Sequence, residues 1–211
     1  MLDKHIVPVL RPVLKKLAIN VVSRGFSADQ VTIAGFASGL LCFAAIAMGW
    51  YTAGLFLLLL NRLADGIDGE LARLSKPSDA GAFLDITLDF FFYALLPLGF
   101  AIADPQTNAL AAAVLITSFI GTGASFLAYS RFAEVRGVEH PDFSYKGLYY
   151  LDGLAEGTET VVFFCMMCLL PMWFVQLAWV FAAICVVTAI NRVWFGYRTL
   201  RNNDGDEKTN R

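Results

Sequence analysis

Charge is scarce in this sequence. Only 16% of the 211 residues are Asp, Glu, Lys or Arg, against 57% hydrophobic, and the mean hydropathy is +0.60. Soluble domains carry about 25% charged residues, so the composition argues against a globular cytosolic protein. There is no basic excess either: 16 Lys and Arg stand against 18 Asp and Glu, a net charge of -2, which excludes nucleic acid as an expected partner. Histidine is limited to His5 and His140, and cysteine to Cys42, Cys165, Cys168 and Cys185 in apolar stretches. No disulfide framework is expected. Cys165-x-x-Cys168 has the spacing of a metal or redox pair, but no second pair completes a site, so it reads as buried thiols. Tandem repeats and low-complexity segments are lacking.

What is abundant is long apolar sequence. A helix of about 20 residues spans about 30 Å of hydrocarbon. We read spans near 31–50, 53–73, 81–103, 107–130, 154–170 and 173–197, which makes 1–211 a single all-α polytopic membrane domain with six transmembrane helices. Breaks fall at Gly49 to Gly54, Lys76-Pro77-Ser78-Asp79, Asp104-Pro105, Arg136 to Gly153 and Pro171. Ahead of the first span, Ile6, Leu10, Val13, Leu14, Leu17 and Val21 recur at helical spacing, while Lys4, Arg11, Lys15 and Lys16 occupy another face. Residues 1–24 are therefore expected to form an interfacial amphipathic helix. Pro8, Arg11 and Pro12 interrupt the apolar core that a signal peptide needs, so no cleavage is expected. Residues 202–211 read as a frayed polar tail.

The basic residues orient the spans. Connections at 50–54, 104–106 and 171–172 contain no Lys or Arg, whereas Arg24, Arg73, Lys76, Arg131, Arg136, Lys146, Arg198 and Arg201 fall on the other side. The positive-inside rule then places both termini and the Lys76 turn in the cytoplasm.

Four acids interrupt the apolar pattern: Asp65 and Asp68 near the end of the second span, Asp85 and Asp89 near the start of the third. Charges at such depth are costly and default to function. At about 100° per residue, Asn61, Asp65, Asp68, Gly69 and Ala72 share one helix face, and Gly81, Asp85 and Asp89 share a face of the next. The short turn between the helices lets the faces meet. Four adjacent carboxylates repel one another unless cations neutralise them, and two divalent ions would balance the charge. Oxygen-only ligands favour Mg²⁺ or Mn²⁺ over zinc. The bland alternative, ion pairing with Arg62 and Arg73, leaves two acids uncompensated. Gly69, Ala72 and Gly81 remove bulk from the acidic face, either for a ligand or for close helix packing, the role expected of Gly35-x-x-x-Gly39 and of Gly121 with Ser125. Arg73 is suited to a phosphate through its planar fork.

Asp65-x-x-Asp68-Gly69-x-x-Ala72-Arg73 followed by Gly81-x-x-x-Asp85-x-x-x-Asp89 resembles the signature of the CDP-alcohol phosphatidyltransferase family, with every fixed identity present across 65–89. Length, span number and the N-terminal helix extend the resemblance over most of the chain, toward small members of the bacterial inner (cytoplasmic) membrane. The resemblance implies transfer of a phosphatidyl or related substituted phosphoryl group from a CDP-linked lipid donor, foremost CDP-diacylglycerol, to an alcohol acceptor. CMP is released, the setting is phospholipid biosynthesis among membrane lipids, and the active site is cytoplasmic. It also implies a homodimer. Asp65, Asp68, Asp85 and Asp89 would hold two Mg²⁺ or Mn²⁺ ions, and Asp89 would accept the proton of the attacking hydroxyl. Gly69, Arg73 and Ser78 match donor-contacting positions. Members often carry Pro-Asn or Pro-Asp before the first span; here Ser27-Ala28-Asp29-Gln30-Val31-Thr32 stands there, so Asp29, Gln30 and Val31 are carried over with alanine in place of that proline.

The acceptor side is less legible. Arg131, Arg136, Lys146 and Arg192 read equally as ligands for a phosphorylated alcohol or as orientation charges. Glu156 and Glu159 suit acceptor hydroxyls, an amine or nearby arginines. Two rival classes also use intramembrane acids. A prenyltransferase would place two acidic motifs far apart rather than on adjacent helices, and an ion or solute transporter would show inverted repeats or broken half-helices.

Overall fold

The computed structural model describes residues 2–75, 77–135 and 153–209. Those residues form helices and no strands: α1 (Asp3–Ser23), α2 (Ala28–Ala47), α3 (Tyr51–Leu74), α4 (Asp79–Ala103), α5 (Pro105–Val135), α6 (Gly157–Leu169) and α7 (Phe174–Thr209), with a 3₁₀ turn at Pro171–Trp173. The expected apolar segments each correspond to one helix. Arg136, His140, Lys146 and Lys76 lie outside the described residues.

Local chemistry accounts for the ends. Gly25 and Gly49 take positive φ, 85° and 78°, where the chain leaves α1 and α2. Ser27 Oγ accepts from Gln30 N at 3.3 Å while Gln30 Oε1 accepts from Ser27 N at 3.0 Å, a reciprocal cap on α2. Ser78 Oγ accepts from Gly81 N at 3.0 Å to start α4, and Asp104 Oδ1 accepts from Thr107 N at 3.2 Å ahead of Pro105, the first residue of α5. The helix α7 continues to Thr209, into the stretch expected as a polar tail.

Among the described residues, four helices are long and apolar enough to cross a membrane: Ala28–Ala47, Asp79–Ala103, Pro105–Val135 and the segment Pro171–Arg201. The other two expected spans differ for separate reasons. α3 has the length, but Arg62, Asp65, Asp68, Glu70 and Arg73 fall between its middle and its C-terminus. α6 has 13 residues, about 20 Å at the helical rise of about 1.5 Å per residue. Large apolar side chains such as Phe56, Leu110, Ile120 and Ile190 are exposed on the outside, as a lipid-facing surface requires.

α2 packs against α3 and α4, α4 against α5, and α5 against α7, while α6 touches α3 and α7. Aromatic rings fill the middle: Phe100 stacks between Tyr51 and Phe174 at 5.3 and 4.4 Å, and Phe163 on Phe181 at 4.4 Å. Close packing at Gly35 and Gly39 is as expected: a Cβ would stand 2.8 Å from Ala64 Cβ at the first and 2.7 Å from Phe92 Cδ2 at the second. At Gly121 it would meet Ala189 Cβ at an ordinary 3.6 Å. The close approach on α5 is at Gly123 instead, where Phe90 fills the space.

Candidate active site

The acidic faces of α3 and α4 meet as the spacing requires. Thr32 and Phe36 of α2, Asn61, Arg62, Asp65 and Asp68 of α3, and Asp85 and Asp89 of α4 line one cavity. Asp65, Asp68 and Asp85 each present a carboxylate oxygen within 4.8 Å of the others, a set of hard oxygen donors that fits Mg²⁺ or Mn²⁺. Thr32 Oγ1 donates to Asp68 Oδ2 at 2.7 Å, which orients that carboxylate from a third helix. Thr32 was not legible as a site residue; it carries no spacing signal relative to the acids.

Asp89 lines the same cavity but stands apart from that trio. Its Oδ1 accepts from Arg62 Nη2 at 2.7 Å, and Arg62 Nη1 lies 3.7 Å from Asp65 Oδ2. The ion-pair alternative is thus half realised: one arginine sits among four acids. Arg73 is turned elsewhere, onto Glu70 Oε1, which also receives Arg11 Nε of α1 at 3.2 Å. Glu70 is 4% exposed, and the sequence pattern offered no reason to single it out, because it lies off the acidic face.

Of the other expected donor contacts, Asp29 and Ser78 lie together where α2 and α4 begin. A side chain at Gly81 would come within 2.9 Å of Asp29 Oδ1 and 3.1 Å of Ser78 Oγ, so Asp29, Ser78 and Gly81 are neighbours. Among the described residues, a Cβ at Gly69 would meet only Arg73 Nη1, at 3.8 Å. Gln30 spends its side-chain oxygen on the α2 cap, and Val31 is half-buried in the first turn.

The residues considered for the acceptor separate. Arg131 makes an exposed pair with Glu134 at 3.3 Å. Arg192 is buried, 7% exposed, donating to Thr122 O at 3.3 Å and lying 5.5 Å from the Phe126 ring. Glu156 and Glu159 join Asp3 of α1 in a second acidic group. Here the carboxylates meet backbone amides: Thr158 N donates to Asp3 Oδ1 and Leu2 N to Glu159 Oε1, both at 2.8 Å, and Gly153 N donates to Glu156 Oε1 at 3.2 Å.

Comparison with known proteins gives the same reading from independent ground. Over 202 residues the chain is 48% identical to the inner membrane protein YnjF of Escherichia coli, covering 96% of this chain and 98% of that one. It is 36% identical over 108 residues to a phosphatidylinositol phosphate synthase of Cutibacterium acnes, 46% of this chain and 51% of the other. The crystal structure of Mycobacterium tuberculosis phosphatidylinositol phosphate synthase with CDP-DAG bound superposes with a TM-score of 0.65 at 20% identity, covering 88% of this chain and 94% of that one, a likeness of fold. The family model for CDP-alcohol phosphatidyltransferase matches residues 26–191, which include the whole acidic constellation. On that match, and on a relative aligned along nearly its full length, the chain belongs to the CDP-alcohol phosphatidyltransferase family.

Proposed function

We propose that this protein transfers a phosphatidyl or related substituted phosphoryl group from a CDP-linked donor, foremost CDP-diacylglycerol, to an alcohol, releasing CMP in phospholipid biosynthesis. The observation that carries this reading is the convergence of Asp65, Asp68 and Asp85 on one cavity with Asp89 beside them, in a chain of this family. The acceptor oxygen forms a bond to the transferred phosphorus, the bond from that phosphorus to the CMP oxygen breaks, and the hydroxyl proton passes to Asp89. Asp65, Asp68, Asp85 and Asp89 would hold two Mg²⁺ or Mn²⁺ ions, which supply charge neutralisation for the diphosphate and its leaving group. Asp89 needs only to be positioned and ionised to act as base. Arg73 would contact a donor phosphate, with Gly69 leaving room beside it. Asp29, Gln30, Val31 and Ser78 would complete the donor contacts, Gln30 and Val31 through the backbone at the start of α2.

α2 to α7 would form six spans. α3 crosses because its acids face the cavity rather than lipid, and α6 because the flanking residues supplement its length. α1 would lie at the interface, and both termini with the active site would face the cytoplasm of a bacterial inner membrane, in a homodimer. Reporter fusions at the N-terminus, at Lys76 and at the C-terminus should all report cytoplasm; a periplasmic signal at Lys76 would remove the six-span arrangement. Purified protein given CDP-diacylglycerol, a panel of alcohols and Mg²⁺ or Mn²⁺ should release CMP and yield a new lipid by mass. Chelation should stop this and added metal restore it. Full activity after rigorous metal removal would sink the mechanism.

A further inference from the structure

Arg62 lies inside α3 with 11% of its side chain exposed, and the transfer as described above gives it no part. Its guanidinium is held on every side. Nε donates to Asn61 Oδ1 at 2.7 Å, and Asn61 is itself fixed by donating from Nδ2 to Gly35 O at 2.9 Å. Nη1 donates to Tyr93 OH at 3.2 Å. The Phe92 and Tyr93 rings stand 4.9 and 5.3 Å from the guanidinium carbon. What remains of the fork reaches the acids, Nη2 to Asp89 Oδ1 at 2.7 Å and Nη1 at 3.7 Å from Asp65 Oδ2. An exposed ion pair is loosely held and contributes little. Here planar donors and two aromatic rings specify one place for the charge.

Two consequences follow. Asp89 is restrained through one oxygen, which leaves the other for chemistry. The second is electrostatic: a fixed cation among acids that would bind divalent ions weakens that binding by like-charge repulsion. Cation retention therefore cannot be what Arg62 contributes, whereas orientation of Asp89 can.

We propose that Arg62 is a positioning residue for the transfer, holding Asp89 by Oδ1 in the orientation from which Oδ2 receives the acceptor's proton, and lowering divalent-cation affinity as it does so. This inference rests on the reading of Asp89 as the base.

The test uses the purified full-length protein in lipid nanodiscs. Mn²⁺ binding is followed by electron paramagnetic resonance, and CMP release is followed with CDP-diacylglycerol and the alcohol that supports turnover. Arg62→Met keeps an unbranched stem of the side chain and removes the charged fork; Arg62→Lys keeps the charge and removes the fork. Arg62→Met should bind Mn²⁺ about threefold or more tightly, since the repelling charge is gone. Its kcat should fall by about tenfold or more with donor KM changed by less than about threefold, as expected for a misplaced base. Arg62→Lys should bind Mn²⁺ like the wild type and show intermediate turnover. A damaged fold moves affinity and turnover down together, so their opposite movement is the signature. Near-normal kcat in Arg62→Met, or parallel loss of Mn²⁺ affinity and turnover in both variants, would overturn the inference. Absence of CMP release by the wild-type protein would overturn the transfer reading and this inference with it, and is distinguishable because it appears before any substitution.

Discussion

Two groups of acids in this molecule are both compact and differ in their surroundings. Asp65, Asp68 and Asp85 bring carboxylate oxygens within 4.8 Å of one another, and so do Asp3, Glu156 and Glu159. In the second group, backbone amides of Thr158, Leu2 and Gly153 donate to the three carboxylates. These acids thereby tie the start of α1 to the start of α6, much as a capping side chain satisfies the open amides of a helix. In the first group, Thr32 donates to Asp68 and Arg62 Nη1 lies 3.7 Å from Asp65 Oδ2, while among the described residues no backbone amide meets the Asp65 or Asp85 carboxylate, and the group borders a cavity. Proximity of acids alone does not make a metal site. What distinguishes the two is that each acid of the second group receives a backbone amide, whereas Asp65 and Asp85 border the cavity.

That contrast can be broken by substitution. The largest effect is expected at Asp89, beside the first group: Asp89→Asn keeps the size of the side chain but removes the proposed base, and turnover should fall by about 10²- to 10⁴-fold. Mn²⁺ should still bind at Asp65, Asp68 and Asp85. Near-normal CMP release from a well-folded Asp89→Asn protein would remove its assigned role.

A smaller effect sharpens the boundary of the first group. Arg73→Ala should raise the donor KM by about 10- to 100-fold, corresponding to a charge-assisted hydrogen bond worth about 1.5–3 kcal/mol, with kcat less affected. An unchanged KM would assign Arg73 to its pair with Glu70 alone. The smallest effect is expected in the second group. Asp3→Ala deprives Thr158 N of its acceptor and should lower stability by about 0.5–2 kcal/mol, read by denaturation of the purified protein, with turnover and Mn²⁺ stoichiometry unchanged. Loss of a bound Mn²⁺ ion in that variant would make the two groups alike and end the comparison.

Much of the first group was legible because its members repeat within one or two helical turns. Asp65 and Asp68, or Gly81, Asp85 and Asp89, share a face wherever the helix forms. The break that holds the Ser78 cap was legible for the same local reason. Glu156 and Glu159 were legible as unusual acids but not as a tie to α1, because Asp3 and Thr158 are 155 residues apart. Arg73 was read toward a phosphate or toward the four acids, since nothing local showed that Arg11 of α1 and Arg73 would converge on the buried Glu70.

The sequence by itself determined the class of protein, the helices, the faces that carry the acids and the family signature. These depend on composition and on helical pitch, which act over a few residues. Only the tertiary structure decided which donors the acids meet and which charges are matched. It set Thr32 against Asp68, Arg62 between Asp65 and Asp89, and Asp3 at the start of α6. The physical reason is that a hydrogen bond is specified to within a few tenths of an ångström, and across helices that precision comes from the packing of whole helices, which no local spacing encodes.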